Sequence, residues 1–183
     1  MPNTQIIIAQ AIGILGMIAA MLSFQCKSSK KMFIIQAFCA GFFLIHFGLL
    51  GAAVGMLQNV LAIVRAMIFR SEKKWAQHKS IPYIFGVLFL LTILLTYDGP
   101  ITLLPPIAMV ISTFAMWTKN GKKIRILQLF TVSPMWLIYN AFVLSISGCI
   151  TEAFNIVSIL VSIARYGING FDKATPVTSE ADK

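Results

Sequence analysis

The stretch MLQNVLAIVRAMIF, residues 56–69, carries Asn59 and Arg65 in a run otherwise built almost wholly from Leu, Val, Ile, Ala, Met and Phe. A soluble helix would turn such residues to a polar face, but this one has none. If the run lies in lipid, both side chains need an interior to hide in. The composition puts it in lipid: of 183 residues, 58% are hydrophobic and 11% charged, against roughly a quarter charged in ordinary soluble chains.

Working outward, seven apolar runs are long enough to cross a bilayer as helices, at about 5–24, 33–51, 53–69, 81–97, 101–118, 126–145 and 149–168. The connections are short, the longest being SEKKWAQHKS at 71–80, so no soluble catalytic or ligand-binding domain is expected. The start, MPNTQ, has no basic residue, unlike a signal peptide's n-region, and the first run is read as a mature helix. Cys26, Cys39 and Cys149 show neither C-x-x-C nor metal-ligand spacing and read as buried or interfacial thiols.

The net charge of +9 is distributed as in a membrane protein and does not suggest nucleic acid. Basic residues cluster in alternate connections: Lys27, Lys30 and Lys31; then Arg70, Lys73, Lys74 and Lys79; then Lys119, Lys122, Lys123 and Arg125. The intervening connections have none. With seven helices threaded, all clusters fall on one side, which the positive-inside rule makes cytoplasmic. The amino terminus is then outside and the carboxyl terminus inside, and the polar tail 169–183 is expected to be disordered.

The sequence also repeats. Lys27, Lys30, Lys31, Gln36 and Phe38 align with Lys119, Lys122, Lys123, Gln128 and Phe130 without a gap, and one inserted residue sets His46 on Tyr139. A longer insertion in the next connection sets Asn59 on Asn155 and brings Arg65 near Arg165. The expected fold class is an all-α integral membrane protein of seven transmembrane helices. Residues 1–70 and 101–168 form parallel three-helix repeats, and 71–100 is a cytoplasmic loop with one inverting helix. Transporters are built on such plans, with substrate near the midplane at the repeat interface. Pro105 and Pro106 at the start of the fifth run and Pro134 in the sixth are candidate hinges or static kinks. Gly41 stands opposite Pro134, and Gly13 and Gly16 lie in the first run.

Ionisable and amide groups within spans usually face the bundle interior. Asn59 and Asn155 are candidate substrate contacts, with donors and an acceptor suited to hydroxyl-rich ligands. The other reading is an interhelical bond worth roughly 1 kcal/mol. Tyr139, Asn140 and His46 can line the same cavity, though a His in a span is also commonly a neutral imidazole bonded to a carbonyl. Glu152, one turn before Asn155, can take a proton or a cationic substrate, or sit solvated at the outer rim. Arg65 and Arg165 lie nearer the basic edge and read as snorkelling interface anchors or as a cytoplasmic gate. Trp75 and Trp117 read as interfacial belt residues.

LIHFGLLGA (44–52), QNVLAIVR (58–65), LLPPIAMVISTFAMW (103–117), PMWLIYNAF (134–142), SGCITEAFN (147–155) and IARYG (163–167) resemble the YgjV-type bacterial inner membrane protein family over about residues 8–167. That family is similar to the SWEET and SemiSWEET sugar transporters and other PQ-loop proteins. The resemblance implies a SWEET-like fold, an inner-membrane location, and substrate contact by paired asparagines on the third helix of each repeat. The chain departs from that pattern in having no Pro-Gln dipeptide.

The expected function is a transporter of a small polar, sugar-like metabolite by alternating access. The alternative is an inner-membrane scaffold or sensor that keeps the fold without transporting. No Ser/His pair, HExxH motif or carboxylate dyad occurs at helical spacing, so an enzyme is not expected, nor is a metal or other cofactor. Expected partners are the lipid bilayer and the substrate, with a homo-oligomer left open.

Overall fold

The computed structural model describes residues 3–24, 29–118 and 121–166. The tail 169–183, the basic residues Lys27 and Lys119 and the side chain of Arg165 lie outside the described residues. Every regular element among those described is helical. In chain order they are α1 (Asn3–Phe24), α2 (Ser29–Leu49), α3 (Ala53–Arg70), α4 (Ile81–Thr96), α5 (Leu104–Trp117), α6 (Gly121–Leu127), α7 (Ser133–Phe142) and α8 (Ile146–Tyr166). A π-helical stretch, Gln128–Val132, joins α6 to α7 as one rod, so there are seven rods. By length and composition, Thr4–Ser23, Ala53–Arg70 and Pro100–Trp117 suffice to cross a membrane. Phe33–Leu49, Ile81–Thr96 and Ile146–Val161 are shorter apolar helices.

The molecule is inside-out relative to a soluble fold. Large apolar side chains such as Leu94, Leu95, Phe130 and Val157 are exposed, while His46, Gln58, Asn59, Arg65, Asn140 and Ser145 are buried. Lipid makes this pattern favourable, because a polar group in hydrocarbon has no water to bond. Six rods close a ring in which neighbours touch: α1 with α2, α2 with α3, α3 with α5, α5 with α7, α7 with α8, and α8 with α1. The remaining rod, α4, packs outside this ring on α3 and α5 through Phe69, Phe85, Phe89 and Met109.

The connections explain where the rods break. After α2, Gly51 takes a positive φ of 69°, and after α7 Leu144 takes a φ of 56°. Gly51 follows His46 by five positions, as Leu144 follows Tyr139. The backbone bonds recur at the same offsets: Ala52 N–H to Phe47 O and Met56 N–H to Ala52 O, against Ser145 N–H to Asn140 O and Cys149 N–H to Ser145 O. The two turns are therefore one conformation of one length. This also shows why the seventh helix starts at Ile146 and not near 149: Ser145 Oγ accepts the Gly148 N–H at 3.2 Å, a regular N-cap bond.

The prolines act differently from one another. Pro105 and Pro106 are the second and third residues of α5, after a 3-10 turn at Pro100–Leu103. First-turn N–H groups have no intrahelical partner, so these prolines break no bond and start a helix at the place read as a hinge or a static kink. Pro134 lies within a continuous rod. It cannot bond the Phe130 carbonyl, and its ring crowds that carbonyl. The backbone widens just before it, so that Ser133 N–H reaches Gln128 O, five residues back. At the aligned position in α2, Gly41, the helix is regular.

Candidate functional site

Inside the ring lies a cavity of about 180 Å³. α3 reaches it with Asn59, and α8 with Gly148, Thr151, Glu152 and Asn155. From α2 come Phe43 and Phe47, and from α7 Trp136 and Asn140. Four predicted residues, Asn59, Asn140, Glu152 and Asn155, are thus brought together.

The polar atoms are organised around Glu152. Asn155 Nδ2 donates to Glu152 Oε2 at 3.2 Å, the one-turn spacing placing both on one helix face. Ser133, close to the Glu152 side chain, accepts from Gln128 Nε2 at 2.9 Å. The π-helical stretch sets Ser133 on this line, in keeping with the frequent occurrence of such bulges at functional sites. Across the cavity, Asn59 Nδ2 donates to its own helix at Gly55 O, 2.8 Å. The Asn140 Oδ1 is buried without a hydrogen-bond partner.

His46 and Tyr139 do not line the cavity. His46, 0% exposed, lies with Nδ1 2.7 Å from Ala9 O and Nε2 2.7 Å from Ser145 Oγ. A carbonyl only accepts, so Nδ1 carries the proton and the Ser145 hydroxyl donates to Nε2. Tyr139 Oη accepts the Gly55 N–H at 2.9 Å, satisfying a first-turn donor of α3 that has no intrahelical partner. His46 of α2 therefore binds the start of α8, and Tyr139 of α7 the start of α3. These two clasps precede the cavity residues by about one turn, Gly55 before Asn59 and Ser145 before Gly148. Both clasps thus tie the helices together at the end that holds the α3 and α8 starts. Rings of Phe47, Trp136 and Tyr139, 5.8–6.0 Å apart, fill the same level. Gln10 adds a third tie, donating to Leu144 O and accepting from Ser147.

Close approach explains Gly13 in the first run. A Cβ there would run into Ser147 Oγ, with His46 Nδ1 2.8 Å away.

Arg65 is buried inside the bundle and does not snorkel. Its Nη1 donates to Thr113 Oγ1 at 2.7 Å and its guanidinium lies 5.4 Å from the Phe89 ring centroid. It faces α4 and α5, where Nη1 is bonded but Nε is buried without a hydrogen-bond partner. It does not line the cavity.

The turns also change one residue pairing. Since they match without a gap, counting forward from His46 and Tyr139 sets Asn59 opposite Glu152, and not opposite Asn155; Gly55 falls opposite Gly148. The longer insertion inferred from sequence is absent. Sequence reasoning missed Ser133, Trp136 and Phe47 as parts of the site. Ser133 had a signal in its neighbour, the in-span Pro134, whereas the rings were hidden among the chain's 14 Phe and 3 Trp.

Comparison with known proteins gives the family. Residues 7–169 match Imp-YgjV, described as bacterial inner membrane protein. The inner membrane protein YgjV of Escherichia coli (strain K12) is 24% identical over 163 residues, covering 87% of this chain and 84% of the relative. No solved structure matches. The multi-pass helices, the buried polar network and the match over nearly the whole chain agree: the chain belongs to the Imp-YgjV family of bacterial inner membrane proteins.

Proposed function

We propose that the chain is a carrier for a small polar metabolite, working by alternating access between two three-helix halves, residues 1–70 and 101–168, related by an axis along the membrane normal. α4 serves as the inverting connection, with the amino terminus outside. The observation that carries this reading is the cavity between the halves, with an amide on the third helix of one and a carboxylate at the matching position of the other. The closed ring supports it: α3 meets the first helix of the second half as α8 meets the first helix of the first. So do the matching turns and the reciprocal clasps. Related three-helix halves are a known transporter plan, with substrate at their interface.

The size of the site limits the cargo. A cavity of about 150 Å³ holds a benzene-sized molecule, so about 180 Å³ suits roughly seven non-hydrogen atoms, a solute of the size of glycerol or erythritol. This is the work of a carrier and not of an enzyme. The test is osmotic swelling of proteoliposomes in glycerol, erythritol and alkylammonium salts. The protein should speed entry of at least one of these solutes. Asn59→Ala and Asn155→Ala should each slow it while the protein stays folded. Flux unchanged in both variants, with lowered thermal stability, would make the amides structural; no flux of any solute would favour a scaffold.

A further inference from the structure

The cavity's polar groups are unbalanced in a way that selects a ligand. Among the described lining residues Glu152 is the one charged side chain, and its interactions are with the neutral Asn155 and Ser133. Asn155 and Asn59 each turn a nitrogen onto their own helix, so each keeps one N–H and its oxygen for a ligand. Asn140, 2% exposed, holds Oδ1 buried with no donor. The lining amides, Gln36 among them, offer neutral donors and acceptors alike, but the Glu152 carboxylate meets no cation in the lining and the buried Asn140 Oδ1 meets no donor. A buried acceptor without a donor is costly, as is a buried carboxylate without a counter-charge. The remaining lining includes the rings of Phe43, Phe47 and Trp136, whose faces attract cations.

We infer that the cavity binds a small organic ammonium ion, its charge at Glu152 and Asn140 among the aromatic rings and its neutral polar end toward Asn59. This rests on the carrier reading and names its substrate class. The pairing of Asn59 with Glu152 gives the ligand its direction: the same position offers a neutral amide in one half and an anion in the other. A neutral polyol would satisfy the amides but leave Glu152 without its counter-charge.

The experiment is equilibrium binding of radiolabelled aminobutanol, protonated at neutral pH, to the purified full-length protein, with butanediol as neutral isostere. The expected result is saturable binding that excess butanediol does not displace. Glu152→Gln should weaken it at least about tenfold, since a charge-assisted bond is about twice as strong as a neutral one. Glu152→Asp should keep it, which covers the case of a Gln variant that fails to fold. Absent binding, equal displacement by butanediol, or a folded Glu152→Gln that binds as tightly would each overturn the inference. Failure of the carrier reading is distinguishable: aminobutanol would bind through Glu152, yet no solute would cross in the swelling assay. Conversely, polyol flux without ammonium binding would leave the carrier standing and remove the cation.

Discussion

Tyr139→Phe separates a clasp from a simple ring contact. The substitution keeps the ring packed on Phe47 and Trp136, at 6.0 and 5.8 Å, and deletes only the hydroxyl that accepts the Gly55 N–H at 2.9 Å. Gly55 is the third residue of α3, where no carbonyl of the helix is available, and it is buried. A buried N–H left without a partner costs about 1–3 kcal/mol. On the soluble-protein scale of roughly 2–4 °C per kcal/mol at this chain length, the melting temperature in detergent should fall by roughly 2–12 °C. Because Tyr139 does not line the cavity, ligand affinity should be affected only through the equilibrium between cavity-open states. The assay is tryptophan-monitored thermal unfolding of both proteins in one detergent. A melting temperature equal to wild type would refute the clasp. A loss as large in Tyr139→Phe as in Tyr139→Leu would assign the whole effect to the hydroxyl.

Further outcomes follow from the same contacts. Gly13→Ala should lower thermal stability sharply, since its Cβ would collide with the Ser147 side chain. Gly41→Ala, which meets nothing within 4 Å, should be neutral or gain up to about 1 kcal/mol from helix propensity. Paired melting curves check both. Arg65→Met should leave stability unchanged or raised, because among the described residues Arg65 has no carboxylate partner and Thr113 keeps its own 2.6 Å bond to Met109 O; a marked loss would restore a structural role to the charge. In a background without cysteines, Asp98→Cys should label from outside and Lys79→Cys from the cytoplasm; the reverse would invert the topology.

Much of this arrangement is legible in sequence because lipid imposes simple rules. Seven apolar runs with basic residues in alternate connections mark out the rods, and an amide such as Asn59 in an apolar run announces an interior. What sequence does not carry is direction around a helix. His46 and Tyr139 were candidates for the cavity like Asn59, but each turns to a helix start whose free N–H or cap hydroxyl needs a partner. Arg65 was placed by its distance from the basic edge, which does not register that Thr113 and Phe89 face it. The Asn59–Asn155 pairing looked natural because both are Asn. Only the matched positive-φ turns at Gly51 and Leu144 show that no residues are inserted, moving the equivalence to Glu152. Pro105 and Pro106 were unreadable for a related reason: a proline pair costs nothing in a first turn, and the boundary of α5 depends on the 3-10 turn before it.

The most direct test of the carrier reading is two-sided access to Asn59. With Asn59→Cys as the sole cysteine, a small membrane-impermeant thiol reagent is applied separately to oriented vesicles of each sidedness. Alternating access predicts labelling from both faces, faster from the cytoplasmic one because the clasps tie the helices together at the other, with Tyr139→Phe raising the rate from outside. Labelling from one face alone, unchanged by loss of the clasp, or from neither face, would contradict it.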